Sequence, residues 1–345
     1  MKKRFKLQRL EQLIQNGKPH FGVFEYVKDI NYLDYHSHRV SQKPLSRLTK
    51  WLAANQFAFV QILVGQYQVC VAVATVKYAT TAFCYIYYHD TQKIQLIEKL
   101  APLTLNCGFN QSPYQGKIYF QNKQLDIQFE FLENAYHIEI QCKDLSLSAK
   151  VERCFAPLAV CSMAGRYGWV FTQKEASNKV QGHMSLHSQS IDLSASQARA
   201  SLDWSLGYMR SMTNWFWTSI NASLPDGRHF AMNLATGVNE SGTSENVCWL
   251  DGEIYYLPTV LYQRPHKNDT DQRWKIYHQQ LNYCNVSIEL YFQPITCYQK
   301  NDRFIIVDSI FEQWIGMYSG HIVVDGEQIV LHDILGLAED HYAKW

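Results

Sequence analysis

Asp203 is the residue whose type and surroundings point most directly to chemistry. It lies in the run Arg199–Asn221, with Trp204, Tyr208, Trp215, Phe216 and Trp217 close behind it. A carboxylate beside so much aromatic surface is costly unless it has a partner or a task. The run reads as a strand, so Asp203, Ser205 and Gly207 share one face, and Trp204, Leu206 and Tyr208 the other. Asp203 is therefore expected to face a barrel interior or a cleft. In apolar surroundings its pKa would rise, which suits a general acid near neutral pH. The competing reading is a structural carboxylate tied to Arg199, Arg210 or backbone amides, since structural ion pairs also perturb carboxylates.

Other side chains qualify as its neighbours. Trp215 and Trp217 lie two apart, share a strand face, and would form either one wall of an apolar pocket or a core layer. Trp204, Tyr208 and Arg210 complete the candidate ligand contacts at this end. The polar run 233–246 holds Asn233, Asn239, Glu240, Glu245 and Asn246 in a Gly- and Ser-rich loop. Such a loop would cap a barrel mouth, and Glu240 or Glu245 would partner Asp203 in an acid–base pair; a plain solvated loop is the alternative. The last residues include Glu339, Asp340, His341, Tyr342 and Trp345, a terminus expected to dock rather than fray, which would bring His341 towards a cleft. The catalytic candidates are thus Asp203, Glu245 and His341.

No metal site is expected. His183 and His187 are four apart in strand-like surroundings, and His36 and His38 lack an evident third ligand. There is no phosphate loop, nucleophile elbow or dinucleotide fingerprint, so no cofactor is expected.

These residues need elements to position them. A chain of 345 residues exceeds one comfortable core, which favours two domains. Aromatics at 14% favour strands and apolar pockets. The 32 basic and 31 acidic residues leave a net charge of +1, which argues against nucleic acid as a partner. No apolar run reaches transmembrane length and the start lacks a secretory pattern, so a cytoplasmic protein without stable membrane insertion is expected. The nine cysteines form no C-x-x-C pair and read as buried, reduced thiols.

From residue 56 onward the pattern is strands. Leu145–Glu152 alternates apolar and polar residues, as a strand with one wet face does. Gly65-Gln66 and Asn122-Lys123 read as tight turns. Asp226-Gly227, Asp251-Gly252 and Asp325-Gly326 each predict a hairpin, because Asp-Gly tolerates the positive φ of a type I′ turn. Before residue 56 the chain reads as loop and short helix: Leu7, Leu10, Leu13 and Ile14 fall at helical spacing, and Leu45, Leu48, Trp51 and Leu52 repeat it after Pro44. The Ser-rich stretch Ser188–Gln197 is the candidate boundary, dividing the chain into 1–195 and 196–345. The expected fold is all-β, two antiparallel barrels with few short helices.

The segments LDWSLGYMRSMTNWFWTSI, FAMNLATGVNESGTSENVCWLDG and DILGLAEDHYAKW, in that order, resemble the bacterial family called Domain of Unknown Function 2804, over essentially the whole chain. More distantly, the Asp, Gly and Trp-x-Trp pattern is similar to the AttH/CrtC-like proteins, which pair two lipocalin-like (calycin) barrels and act on or bind apolar molecules. The motif of that wider group runs Asp-His-Gln-Trp-Gly, whereas here Asp203 and Gly207 match and the His and Gln are absent. The resemblance implies two calycin barrels and an apolar or amphipathic, lipid-like small molecule as partner. It carries over no activity. A cofactor-free lyase, hydratase or isomerase with Asp203 as acid, and a protein-binding scaffold, stand as the alternatives. Oligomeric state is not legible.

Overall fold

The structure is a computed structural model that describes residues 7–37, 45–238, 242–278, 286–303 and 308–344. The chain is all-β, with two compact units, residues 1–91 with 95–209 and residues 92–94 with 210–345.

The first unit is built on one large curled sheet. Its path runs Lys93–Pro102, Ala79–Tyr88, Tyr67–Thr75, Asn55–Val64, Arg199–Tyr208, Gly168–Leu186, Leu145–Glu152, Ala135–Cys142, Leu125–Phe131, Gly116–Gln121 and Cys107–Gly108. Alternation explains the core: Leu145, Leu147, Ala149 and Val151 are buried while Ser146, Ser148 and Lys150 are exposed. The Ser-rich stretch lies at the strand Gln189–Asp192 and the turn after it, and Arg199–Tyr208 pairs with Asn55–Val64 and Gly168–Leu186 in this same sheet. One bulge matters for the site. Between Glu175 and Asn178 the register with Leu202 and Ala200 slips by one residue. Odd-numbered residues Trp169 and Phe171 face the core before it, and even-numbered Val180 and Met184 after it. A bulge of this kind re-aims side chains.

The second unit is a nine-stranded sheet: Glu253–Tyr256, Val247–Leu250, His229–Thr236, Met212–Ser223, Glu327–Lys344, Asp308–Val324, Ser287–Arg303, Trp274–Tyr277 and Leu261–Gln263. Its core holds Ile220, Phe230, Met232, Trp274, Leu290, Phe292, Tyr318 and Ala338.

All three Asp-Gly pairs sit between paired strands. At Asp251-Gly252 and Asp325-Gly326 both residues have positive φ, as a type I′ turn requires; at Asp226-Gly227 only Gly227 does, in a longer loop.

The N-terminal segment departs from the sequence reading. Instead of a helix, Gln8–Gln12 forms a strand lying parallel to Gly22–Asp29, and Ile14–Gln15 pairs with Lys18–Pro19. Strand partners here outweigh a helical spacing of four leucine-like residues, as tertiary pairing does when local preference is weak. The second spacing does form a helix, Arg47–Ala53, capped by Ser46, whose hydroxyl accepts from the Thr49 amide at 3.1 Å. No helix among the described residues is long and apolar enough to cross a membrane.

Candidate functional site

Asp203 stands in the strand Arg199–Tyr208, directly opposite Lys174, with Ser205 opposite Thr172. Lys174 Nζ donates to Asp203 Oδ2 at 2.5 Å, and the side chains are only 7% and 14% exposed. The Ser205 hydroxyl lies 3.4 Å from Asp203 Oδ1 and 2.9 Å from Thr172 Oγ1. A cationic partner of Asp203 is thus Lys174, a lysine just before the bulge. Trp204 and Tyr208 lie on the opposite face, as alternation requires. Trp204 is fully buried in the first core and donates to Asn110 Oδ1 at 3.1 Å; the Tyr208 hydroxyl donates to the Tyr32 carbonyl at 2.9 Å. The structure does not bring these two rings to the Asp203 carboxylate.

The second unit gathers another set. Trp215, Trp217 and Ser219 lie on the face of Met212–Ser223 opposite the core residues Phe216 and Ile220. Trp217 Nε1 donates to Asn233 Oδ1 at 2.8 Å, and Asn233 Nδ2 donates to the Glu245 carbonyl at 2.8 Å. Glu245 is buried. Asn246 accepts from the Ala235 amide at 2.7 Å and donates to the Pro258 carbonyl at 2.9 Å, so its side chain pins two backbone segments. Arg210 reaches the Val238 carbonyl at 3.5 Å. Trp215 Nε1 donates to Glu339 Oε2 at 3.0 Å, and Gln313 Nε2 to Glu339 Oε1 at 2.7 Å. The His341 ring lies 4.0 Å from the Trp215 ring, centroid to centroid, and its Nε2 is 3.1 Å from Ser309 Oγ. Burial pushes the His341 imidazole down to about 3, so the ring is neutral near pH 7. Asn239, Glu240, His38 and Trp345 lie outside the described residues.

Two arrangements in the first unit escape the sequence reading. The first is a cavity of about 200 Å³ lined by Cys84, Ile86, Ile97, Cys142 and Leu145, with Gln95 and Asp144 among its polar groups. A network joins those groups: the Tyr88 hydroxyl donates to Gln95 Oε1 at 2.8 Å and lies 3.0 Å from His187 Nε2, while Gln95 Nε2 donates to Asp144 Oδ2 at 2.9 Å. Burial pushes the Cys84 thiol well up, so it is a neutral wall of the cavity rather than a thiolate. The signal in the sequence was the placing of Cys84 and Cys142 in apolar strands. The second is a buried ion pair of Arg153 with Glu175. Glu175 also accepts from Gln173 at 2.7 Å and Asn178 at 3.0 Å, and the guanidinium lies over the Tyr114 and Tyr136 rings at 4.8 and 5.5 Å. Glu175 faces inward by the same alternation as Trp169 and Phe171, and the bulge turns Asn178 to that face as well; nothing in the local sequence announces the bulge.

Residues 27–345 match the family model described as Domain of unknown function (DUF2804). No curated protein matches the sequence significantly. Among solved structures, CghA superposes with a TM-score of 0.59 at 9% identity over 97% of each chain, and CghA with Sch210972 at 0.58 and 10% over 98% of each. A structure described as AttH from Nitrosomonas europaea gives 0.49 at 13% identity, over 84% of this chain and 91% of that one. At such identities the likeness to CghA is one of fold alone. The chain belongs to the DUF2804 family.

Proposed function

With that family as premise, and no activity carried by it, we propose that this protein binds a small apolar or amphipathic molecule in the first unit. One observation carries the reading: the cavity between residues 84–86, 95–97 and 142–145. Its walls are mostly aliphatic side chains and thiols, and of its polar side chains, Gln95, Lys143 and Asp144, the first and last are hydrogen-bonded to each other. That is the make-up of a small-molecule pocket, in which apolar walls supply affinity and a few polar groups fix orientation. Its volume of about 200 Å³ is below the roughly 300 Å³ at which pockets for drug-sized ligands begin. The ligand is therefore small, or slender like an alkyl chain.

Binding is better supported than catalysis. The Asp203 carboxylate is paired with the Lys174 ammonium, an arrangement that purely structural ion pairs also make. His341, pushed down to about 3, is too weak a base for proton transfer near neutrality, where a pKa close to the working pH serves best.

The purified protein is incubated with a lipid extract, separated from free ligand and analysed by mass spectrometry under native conditions. A retained small molecule is expected, together with at least a tenfold loss of retention in Cys142→Trp, which fills the cavity. Nothing retained, or retention equal in the folded variant, would refute the reading.

A further inference from the structure

A second constellation lies at an end of the core of the second unit. Glu312 and Asp340 stand directly opposite one another on the neighbouring strands Asp308–Val324 and Glu327–Lys344. Like charges so placed destabilise a sheet unless something bridges them. Here the bridge is Arg264, whose Nη1 lies 2.6 Å from Glu312 Oε2 and 2.5 Å from Asp340 Oδ2. The guanidinium carbon is 5.0 Å from the centroid of the Trp274 ring and 5.5 Å from that of Trp314, and the two indoles meet edge to face at 6.3 Å. Trp314 Nε1 and Gln299 Nε2 donate to Glu312 at 3.2 and 3.1 Å and fix its carboxylate.

Walls and occupant differ in how firmly they are held. Trp274 is 2% exposed and belongs to the core, and Trp314, Phe216 and Tyr262 pack against it, the last two stacked at 5.2 Å. The box is therefore preformed. Arg264 itself is 31% exposed, and it leads into residues 266–273, which are exposed. Its charge also does not match that of the box. Two carboxylates face one cation, leaving one negative charge over, and a single nitrogen serves both acids instead of the two-pronged pairing that a guanidinium makes at its strongest. The neighbouring Cys297 thiol, pushed up to about 12 chiefly by burial, adds no charge. Aromatic faces combined with carboxylates are the chemistry that recognises organic cations.

We propose that Glu312, Asp340, Trp274 and Trp314 form a binding site for a small organic cation, a methylated amine or guanidine, with Arg264 as the chain's own occupant that such a ligand displaces. This site is separate from the cavity of the first unit and does not depend on it.

The test uses the full chain and tetramethylammonium chloride, read by tryptophan fluorescence against sodium chloride at equal ionic strength. Arg264→Met keeps the aliphatic stem over the indoles and removes the resident charge. Saturable binding is expected, at least tenfold tighter than in the wild type, and lost when Glu312→Gln and Asp340→Asn are added. A linear response equal to that of sodium in folded Arg264→Met overturns the proposal, as does binding that survives loss of both carboxylates. If Arg264→Met does not fold, Arg264→Lys decides: the shorter ammonium fills the box less, so tetramethylammonium binds at least threefold tighter than to wild type, and equal affinity overturns the assignment.

Discussion

Single residues show how burial sets charge in this protein. Lys77 is 1% exposed, donates to Gln56 Oε1 at 2.8 Å, and lies over the Trp51 and Phe109 rings at 5.6 and 5.2 Å. Burial lowers its pKa from 10.5 to about 8. Between those values the unfolded chain binds the proton and the folded chain does not, so stability rises with pH across that window. A shift of this size corresponds to about 3 kcal/mol in full, and to about 2 kcal/mol between pH 7.5 and 9.5. Urea denaturation at these two pH values is expected to show that gain in the wild type relative to Lys77→Met; parallel behaviour would place the amine in a wetter setting. His341 runs on the acid side. Its folded pKa of about 3 lies below the ordinary 6.5, so its contribution to stability is present above 6.5 and is lost as pH falls through the window towards 3. His341→Phe should flatten melting temperature against pH over that range relative to wild type. Neither behaviour was legible in the sequence. Lys77 is one of many lysines until the fold sets it between Trp51, Phe109 and Gln56, and Asp203 gave no sign that its partner would be Lys174.

Elements carry more of the legible information, because their rules are local. Asp325-Gly326 could be read as a hairpin since only a few residue types accept positive φ, and Gly326 has φ 83° with open space where a Cβ would stand. Gly326→Ala meets no clash, so its effect is conformational, about 1–2 kcal/mol of destabilisation by thermal or urea unfolding. The N-terminal strands were not legible, because their pairing partner, not their spacing, decides them. The bulge after Glu175 was not legible either, yet it brings Asn178 to the face where it donates to Glu175. Removing one member of the buried Arg153–Glu175 pair strands the other charge. Glu175→Gln is expected to lose about 3–5 kcal/mol, whereas Arg153→Met combined with Glu175→Gln should lie closer to wild type than Glu175→Gln alone. Additive losses would mean that the two groups do not depend on each other.

At the scale of the molecule, topology separates local from distant pairings. Asn55–Val64, Tyr67–Thr75 and Ala79–Tyr88 follow one another through short turns and pair in sequence. Closing this meander onto the rest of the first sheet requires Arg199–Tyr208, where Arg199 pairs with Leu63 across 136 positions. Closing so long a loop consumes chain entropy before any contact repays it, which slows folding. The two sheets were readable as a class, from alternation and turns, but the chain gives no local mark that Leu202 will sit beside Val60. The order of events follows from the same contrast. The meander forms early and the Arg199–Tyr208 strand docks late, so fully buried Val71 belongs to the nucleus and Leu202 does not. Leu202→Ala should cost about 2–5 kcal/mol, expressed mainly as faster unfolding, while Val71→Ala should mainly slow refolding. Stopped-flow folding and unfolding in urea, followed by tryptophan fluorescence, separates the two limbs. If Leu202→Ala slows refolding as much as Val71→Ala does relative to its loss of stability, the distant strand is already in place at the barrier, and the meander is not where this sheet begins.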